Sequence, residues 1–172
     1  MRLFCALALS VAAAGPLNAE PWEGSYGGFQ FGLAAVDMTG GSTLSGNGFT
    51  AGGHLGYGVS LGGYYLGGEI DHDAADVELD SGAATVSSFS RLKIRAGAGR
   101  GSSMIYGTAG LAHADTSIGN EQGYFVGAGI GQEMRGGWVL GGEILYHNFI
   151  DIDGLGTDAA ATTVGVRASF RF

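Results

Sequence analysis

The chain has 172 residues and carries 16 acidic against 8 basic side chains, giving a formal net charge of −8. This acidic balance argues against nucleic-acid binding, which selects basic surfaces. The single cysteine, Cys5, precedes residue 20, so the rest of the chain has no thiol for a disulfide, a nucleophile or a metal site. Glycine is abundant, at 35 residues with only 2 prolines, but without the Gly-X-Y period of collagen.

The first segment has the features of a secretory signal peptide. Arg2 supplies a positive start, residues 3–14 form an apolar run, and Leu17-Asn18-Ala19 ends in small residues. The run is too short to span a bilayer as a helix. We therefore predict a signal peptide over residues 1–19, cleaved after Ala19, and one mature domain over residues 20–172.

The mature chain is dominated by segments in which apolar residues alternate with small or polar ones. Alternation with a period of two predicts β-strands. The predicted strands are 26–35, 49–59, 64–73, 88–98, 104–114, 124–134, 138–149 and 162–172. Long polar connections, expected to be loops, alternate with short turns; the long ones are 37–47, 74–85, 115–122 and 150–159. No apolar run after the signal peptide reaches the length of a membrane-spanning helix.

The last predicted strand shows what the two faces of each strand would contact. Val164, Val166 and Phe170 lie on one face, and Arg167 and Arg171 lie on the other. In a membrane barrel the apolar face contacts lipid while the charged face fills the lumen, and bacterial barrels have an even strand count with alternating short and long connections. The sequence therefore predicts an all-β fold, an eight-stranded antiparallel up-and-down transmembrane β-barrel in the outer membrane, with periplasmic termini.

Aromatic residues on the outward faces are expected at both membrane interfaces, where amphipathic rings are favoured. The periplasmic band would consist of Trp22, Tyr57, Tyr64, Trp138, Phe170 and Phe172. The outer band would consist of Phe49, Phe89, Tyr124 and Tyr146.

Charged residues on the inward faces predict an ion network in the lumen. The interior of an eight-stranded barrel is just wide enough for side chains to fill it, and an isolated buried charge is very costly. The predicted members are Glu69, Asp71, Arg91, Lys93, Arg95, Glu133, Glu143 and Arg167. Arg171 is expected near the wet periplasmic mouth, and His54 is expected to fill lumen space.

Five stretches carry a resemblance to a known family: Trp22–Gly28, Arg91–Gly97, Tyr106–Leu111, Trp138 with Glu143–Tyr146, and Val164–Arg167 through Phe170–Phe172. Together they resemble the small outer-membrane β-barrel proteins of the OmpA, OmpX and opacity-protein type, and the resemblance covers the chain after Ala19. In that family, alternating apolar residues that end in phenylalanine signal assembly, a role that the resemblance gives to Phe170 and Phe172. It implies the barrel-assembly machinery and periplasmic chaperones as partners, with outer-membrane lipid and lipopolysaccharide around the barrel.

The expected function is that of a non-enzymatic outer-membrane protein without a cofactor, which supports envelope integrity. Its acidic loops face outward, and adhesion or contact with an unknown extracellular ligand is a further family role. Weak Ca²⁺ or Mg²⁺ binding is a hypothesis, motivated by the acids of two segments, residues 71–80 and 151–154. Neither segment has the spacing of a calcium loop, so no metal site is assigned.

Two alternatives stay open. The first is an enzyme acting on lipid A or peptides at the outer rim, in which His147 or His72 would be a base and Asp71, Asp73 or Asp151 its orienting carboxylate. The second is a narrow pore, which the alternation of strand faces does not exclude.

Overall fold

The computed structural model describes residues 22–39, 43–80, 82–117, 119–152 and 157–172. The predicted signal peptide lies outside these residues, as do Asp153, Gly154 and the side chain of Asp151. The strands are β1 (Gly24–Thr39), β2 (Thr43–Leu61), β3 (Tyr64–Leu79), β4 (Ala84–Arg100), β5 (Ser103–Thr116), β6 (Gly119–Glu133), β7 (Trp138–Ile152) and β8 (Thr157–Arg171). Each strand pairs antiparallel with the next, and β1 pairs with β8, which closes the barrel and confirms the predicted fold class.

An apolar belt surrounds the outside of the barrel. In β4, Leu92 and Ile94 are 56% and 64% exposed, whereas Lys93 between them is buried. We call the outward-facing residues at this height the lipid belt; it includes Phe29, Phe31, Leu33, Phe49, Leu55, Ile70, Leu92, Ile94, Ile105, Leu111, Val126, Ile130, Ile144, Val164 and Val166. Across the belt, no outward-facing position in the described residues carries Asp, Glu, Lys or Arg. That distribution suits a surface in hydrocarbon, where a charge is costly. Among the described residues, no helix is long and apolar enough to cross a membrane.

Two of the aromatic residues expected on the outside lie inside. Phe89 is buried because it shares the face of Arg91, two positions along β4, and not the face of Leu92, three positions along. Trp22 precedes β1 and is buried inside the periplasmic mouth with Tyr65, Met104 and Tyr106. The other predicted band residues are exposed: Phe49, Tyr57, Tyr64, Tyr124, Trp138, Tyr146, Phe170 and Phe172.

The strands continue beyond the lipid belt on the outer side, so most of the predicted loops 37–47 and 74–85 is strand. The polarity of the two faces is reversed there: Val77 and Leu79 turn inward, while Asp76 and Glu78 face outward. Water surrounds this part of the barrel, so apolar side chains are stabilised inside it. We call the resulting buried cluster the outer plug: Ala34, Val36, Met38, Val77, Leu79, Ala84, Val86, Phe89, Ala112, Ala114, Phe125, Leu145, Phe149, Ala159 and Ala161.

Inward-facing glycines make room for large rings in the narrow lumen. A Cβ added at Gly58 would lie 2.1 Å from the ring of Tyr65, and one at Gly129 would lie 2.3 Å from the ring of Tyr106. Glycine in a strand commonly marks this kind of close approach. The abundance of glycine noted in the sequence therefore has a packing role at these positions.

The lumen ion network as the candidate functional site

Strands β3 and β4 place opposite charges on facing ladders. The inward residues of β3 include Glu69, Asp71 and Asp73, spaced two apart, and those of β4 include Arg91 and Lys93 at the same spacing. The antiparallel register sets Asp71 opposite Arg91 and Glu69 opposite Lys93. Directly opposed side chains on one face of a sheet interact, so the strand pairing alone brings these charges together.

Glu69 is the acceptor for three cations. Its Oε2 accepts hydrogen bonds from Arg95 Nη1 at 2.9 Å and from Arg167 Nη2 at 2.7 Å, and its Oε1 lies 3.4 Å from Lys93 Nζ. The Tyr26 hydroxyl also donates to Oε2, at 2.9 Å. These donors come from β1, β4 and β8, so Glu69 connects strands across the lumen.

Lys93 and Arg91 extend the network toward the outer side. Lys93 Nζ lies 2.7 Å from Asp71 Oδ2 and 2.5 Å from Glu143 Oε1. Arg91 Nη1 donates to Asp71 Oδ1 at 2.8 Å and to Asp73 Oδ2 at 2.7 Å.

A further contact joins Arg167 Nη1 to Glu143 Oε2 at 2.8 Å, which closes the network through β7 and β8. Every side chain in these ion pairs is at most 7% exposed. Buried charges of this kind must be paired, because desolvation would otherwise exceed any gain.

The structure brings together seven of the eight residues predicted for the network and adds one. Glu133 lies at the periplasmic end of β6 and forms no ion pair with these groups in the described part of the chain; its charge acts on Arg171 instead. Asp73, the last residue of the predicted strand 64–73, is the added member. Its position two residues after Asp71 was the available signal, because both then share the inward face. Four acids therefore meet four bases, with no net charge.

His147, expected as a base in the enzyme alternative, is enclosed in the outer half of the lumen. It is fully buried, Arg91 Nε donates to its Nε2 at 2.9 Å, and its Nδ1 lies 3.1 Å from the Ala161 carbonyl. The rings of Phe89 and Phe149 stack on it at centroid distances of 5.7 and 6.2 Å. His147 therefore joins the ion network to the outer plug and is inaccessible from the outer rim. Asp71 and Asp73, its expected orienting carboxylates, are held by Arg91.

The polar contacts outside the barrel lie at the outer edge of the lipid belt. His72 Nδ1 lies 2.9 Å from Ser90 Oγ, and both side chains face outward. On β5, His113 Nε2 lies 3.3 Å from Asp115 Oδ1, and the Ser88 hydroxyl donates to the same carboxylate. Among the described residues no group of His, Cys, Asp and Glu could hold a metal ion.

The two terminal phenylalanines lie on the outside of the closed barrel. Phe170 packs edge-on against Trp138 at a centroid distance of 5.4 Å, and the backbone nitrogen of Phe172 donates to the Ser25 carbonyl at 3.0 Å. Both rings are exposed. The assembly role that the resemblance gives them stays a prediction.

Comparisons with known proteins agree with this architecture. The profile of the outer membrane protein beta-barrel domain matches residues 4–172. Ail, the attachment invasion locus protein of Yersinia pestis, is 13% identical, with a TM-score of 0.51 over 86% of this chain and 99% of that chain. Neisserial surface protein A is 14% identical, with a TM-score of 0.55 over 87% of this chain and 100% of that chain. No curated protein matches the chain in sequence. The chain belongs to the outer membrane protein beta-barrel domain family and is an integral protein of the outer membrane.

Proposed function

We propose that this protein is a non-enzymatic, non-conducting barrel that supports the envelope and presents its outer rim for surface interaction. The observation that carries the proposal is a lumen filled by two layers, the ion network and the outer plug. A protein whose interior is occupied in this way offers its lipid belt and its rim, rather than a channel, to the surroundings.

The filled lumen supports the proposal that the barrel does not conduct ions. The cavity beside Gln30, Asp73 and Arg91 has a volume of about 30 Å³, which is room for roughly two water molecules. The test is a planar-bilayer recording of the purified protein. We expect no current steps above those of the bare bilayer, and reproducible steps would refute this part of the proposal.

Acidic side chains on the outer rim support a role in surface interaction. Asp37, Asp76 and Glu78 face outward above the lipid belt, and Asp80 occupies the β3–β4 turn. The names of Ail, an attachment invasion locus protein, and of Neisserial surface protein A describe surface roles of those proteins. By extension, we propose that the rim contacts a basic partner surface, or lipopolysaccharide phosphates through bridging divalent cations. Carboxylates attract basic side chains and divalent cations alike.

The rim hypothesis is tested with cells that carry the gene, lack it, or express the D76N/E78Q variant. We expect loss of the gene to lower both detergent resistance and attachment to host cells, and the variant to lower attachment alone. The separate readouts distinguish the envelope role from the surface role. Equal attachment by all three strains would contradict the surface role.

One observation favours a second candidate, hydrolysis of lipid acyl chains. The outward contact between His72 and Ser90, at 2.9 Å, pairs a base with a hydroxyl at the height of the outer leaflet. Mass spectrometry of lipid A from cells expressing the wild type or Ser90→Ala distinguishes this enzyme from a non-enzymatic barrel. We expect identical spectra; an acyl chain missing only with the wild type would establish the enzyme.

A further inference from the structure

The periplasmic mouth of the barrel contains a second cavity, and the charged residues that line it are all arginines. Its polar walls include the side chains of Arg95, Arg167 and Arg171, together with Trp22, and none of the described residues that line it is Asp or Glu. The remaining walls are mainly aromatic or apolar. Arg95 and Arg167 are paired with Glu69 and Glu143, so the positive potential that favours an anion here comes from Arg171.

Hydrogen-bond donors at this cavity lack acceptors. Trp22 Nε1, Arg95 Nε and Arg171 Nη2 are buried atoms without a hydrogen-bond partner within the protein. Trp22 is 1% exposed and Arg95 is 6% exposed, so these donors belong to enclosed side chains. All three atoms are N–H donors, and buried donors normally find an acceptor.

Arg171 is not needed to balance the charges of the ion network. The four acids of the ion network already meet four bases, and Arg171 forms no ion pair among the described residues. Glu133 acts on it electrostatically without contact at ion-pair distance. Arg171 is half-buried beside the ring of Trp22, with its guanidinium carbon 5.8 Å from the ring centroid. It therefore adds a positive charge beyond those the network neutralises.

We propose that the periplasmic mouth is a binding site for one small inorganic anion of about the size of chloride. The anion accepts hydrogen bonds from Trp22 Nε1, Arg95 Nε and Arg171, and enters from the periplasm past Arg171. The cavity volume of about 30 Å³, which is room for roughly two waters, suits a small inorganic ion. Ligand binding here fixes Trp22, the residue that fills the mouth before β1 begins.

Trp22 also provides the reporter for the test. The chain has two tryptophans, and Trp138→Phe removes the outward one, so the remaining emission comes from Trp22. The folded variant in zwitterionic detergent is titrated with iodide, which quenches indole, at an ionic strength held constant with gluconate. We expect the quenching of Trp22 emission to saturate with iodide concentration. Added chloride should displace iodide and restore the emission.

Two further variants, made in the Trp138→Phe background, test the residue assignment. Arg171→Gln removes the charge at the cavity, and we expect it to weaken iodide binding about tenfold, the size of a lost charge-assisted hydrogen bond. Arg100→Gln removes the same charge from an exposed position at the same end of the barrel and should leave binding unchanged. Arg171→Lys keeps the charge and should bind with intermediate affinity.

Three outcomes would overturn the proposal. Quenching that rises linearly with iodide, without competition by chloride, means collisional contact and a mouth that holds only water. Equal effects of Arg171→Gln and Arg100→Gln mean general charge screening. Gel mobility before boiling verifies that each variant is folded. If Arg171→Gln does not fold, Arg171→Lys takes its place, and an iodide affinity in Arg171→Lys equal to that of the Trp138→Phe parent is the third outcome, because it means that Arg171 does not hold the anion.

Discussion

At the residue scale, Glu69 is the position on which charge pairing in the lumen most depends. Its carboxylate lies within 3.4 Å of Lys93, Arg95 and Arg167. Glu69→Gln would leave Lys93, Arg95 and Arg167 with one carboxylate fewer to pair with inside the lumen. Removal of one partner from a buried ion pair typically costs about 3–5 kcal/mol, because the other charge stays desolvated. We expect a loss of that size in the free energy of unfolding, measured by urea titration in lipid vesicles.

Glu78→Gln is the matched control for this change. It removes the same charge from the same strand, but from an exposed, outward-facing position above the lipid belt. Exposed substitutions usually change stability by about 0.5 kcal/mol or less. If both variants unfolded at the same urea concentration, the network would contribute nothing particular to stability.

At the element scale, closure of the barrel depends on how closely β1 and β8 approach. A Cβ added at Gly28 would lie 2.0 Å from the Ala168 carbonyl oxygen, a backbone atom that cannot rotate away. We expect Gly28→Ala to destabilise the closed barrel by about 1–3 kcal/mol, the usual cost of overpacking. The measurement is urea unfolding, together with the fraction of protein that keeps its folded gel mobility.

Gly68→Ala provides the comparison at another strand. A Cβ at Gly68 meets no atom within 4 Å and points outward from β3. It should leave stability essentially unchanged in lipid. Equal losses in the two variants would indicate a general preference for glycine in these strands rather than a steric limit between β1 and β8.

The same scale shows how far sequence periodicity could predict the structure. Within the lipid belt, alternation identified all eight strands, because one solvent, hydrocarbon, acts on every outward face. The prediction of a loop at 74–85 was wrong, because β3 continues to Leu79. Residues 76–79 still alternate there, but with the apolar residues inward. The period was intact; the surroundings had changed from lipid to water, and that change reverses which face is polar.

The pairing partners inside the lumen were less accessible to sequence reasoning. The contact between Arg167 and Glu69 joins residues far apart in the chain and depends on how β8 is staggered around the closed barrel. Cross-strand neighbours such as Asp71 and Arg91 needed only the β3–β4 hairpin. Membership of the ion network was therefore predictable from inward-facing charge, whereas its connections required the complete register.

At the scale of the whole molecule, the lumen is sealed by two layers of different chemistry. The ion network closes the middle of the barrel through contacts such as Lys93 with Glu143, and the outer plug closes the outer half with Phe89 and Phe149. His147 contacts both layers. Because the layers lie in series along the barrel, an ion that crosses one still meets the other.

This arrangement predicts that conduction requires damage to both layers. We expect planar-bilayer recordings without current steps from the F89A/F149A variant, which opens the plug, and likewise from Lys93→Met, which breaks the centre of the network. The triple variant should give steps, since both barriers are then lowered. Folded gel mobility before boiling serves as the control for each protein. Steps from F89A/F149A alone would show that the ion network does not seal the lumen, and their absence from a folded triple variant would show that the remaining side chains suffice to close it.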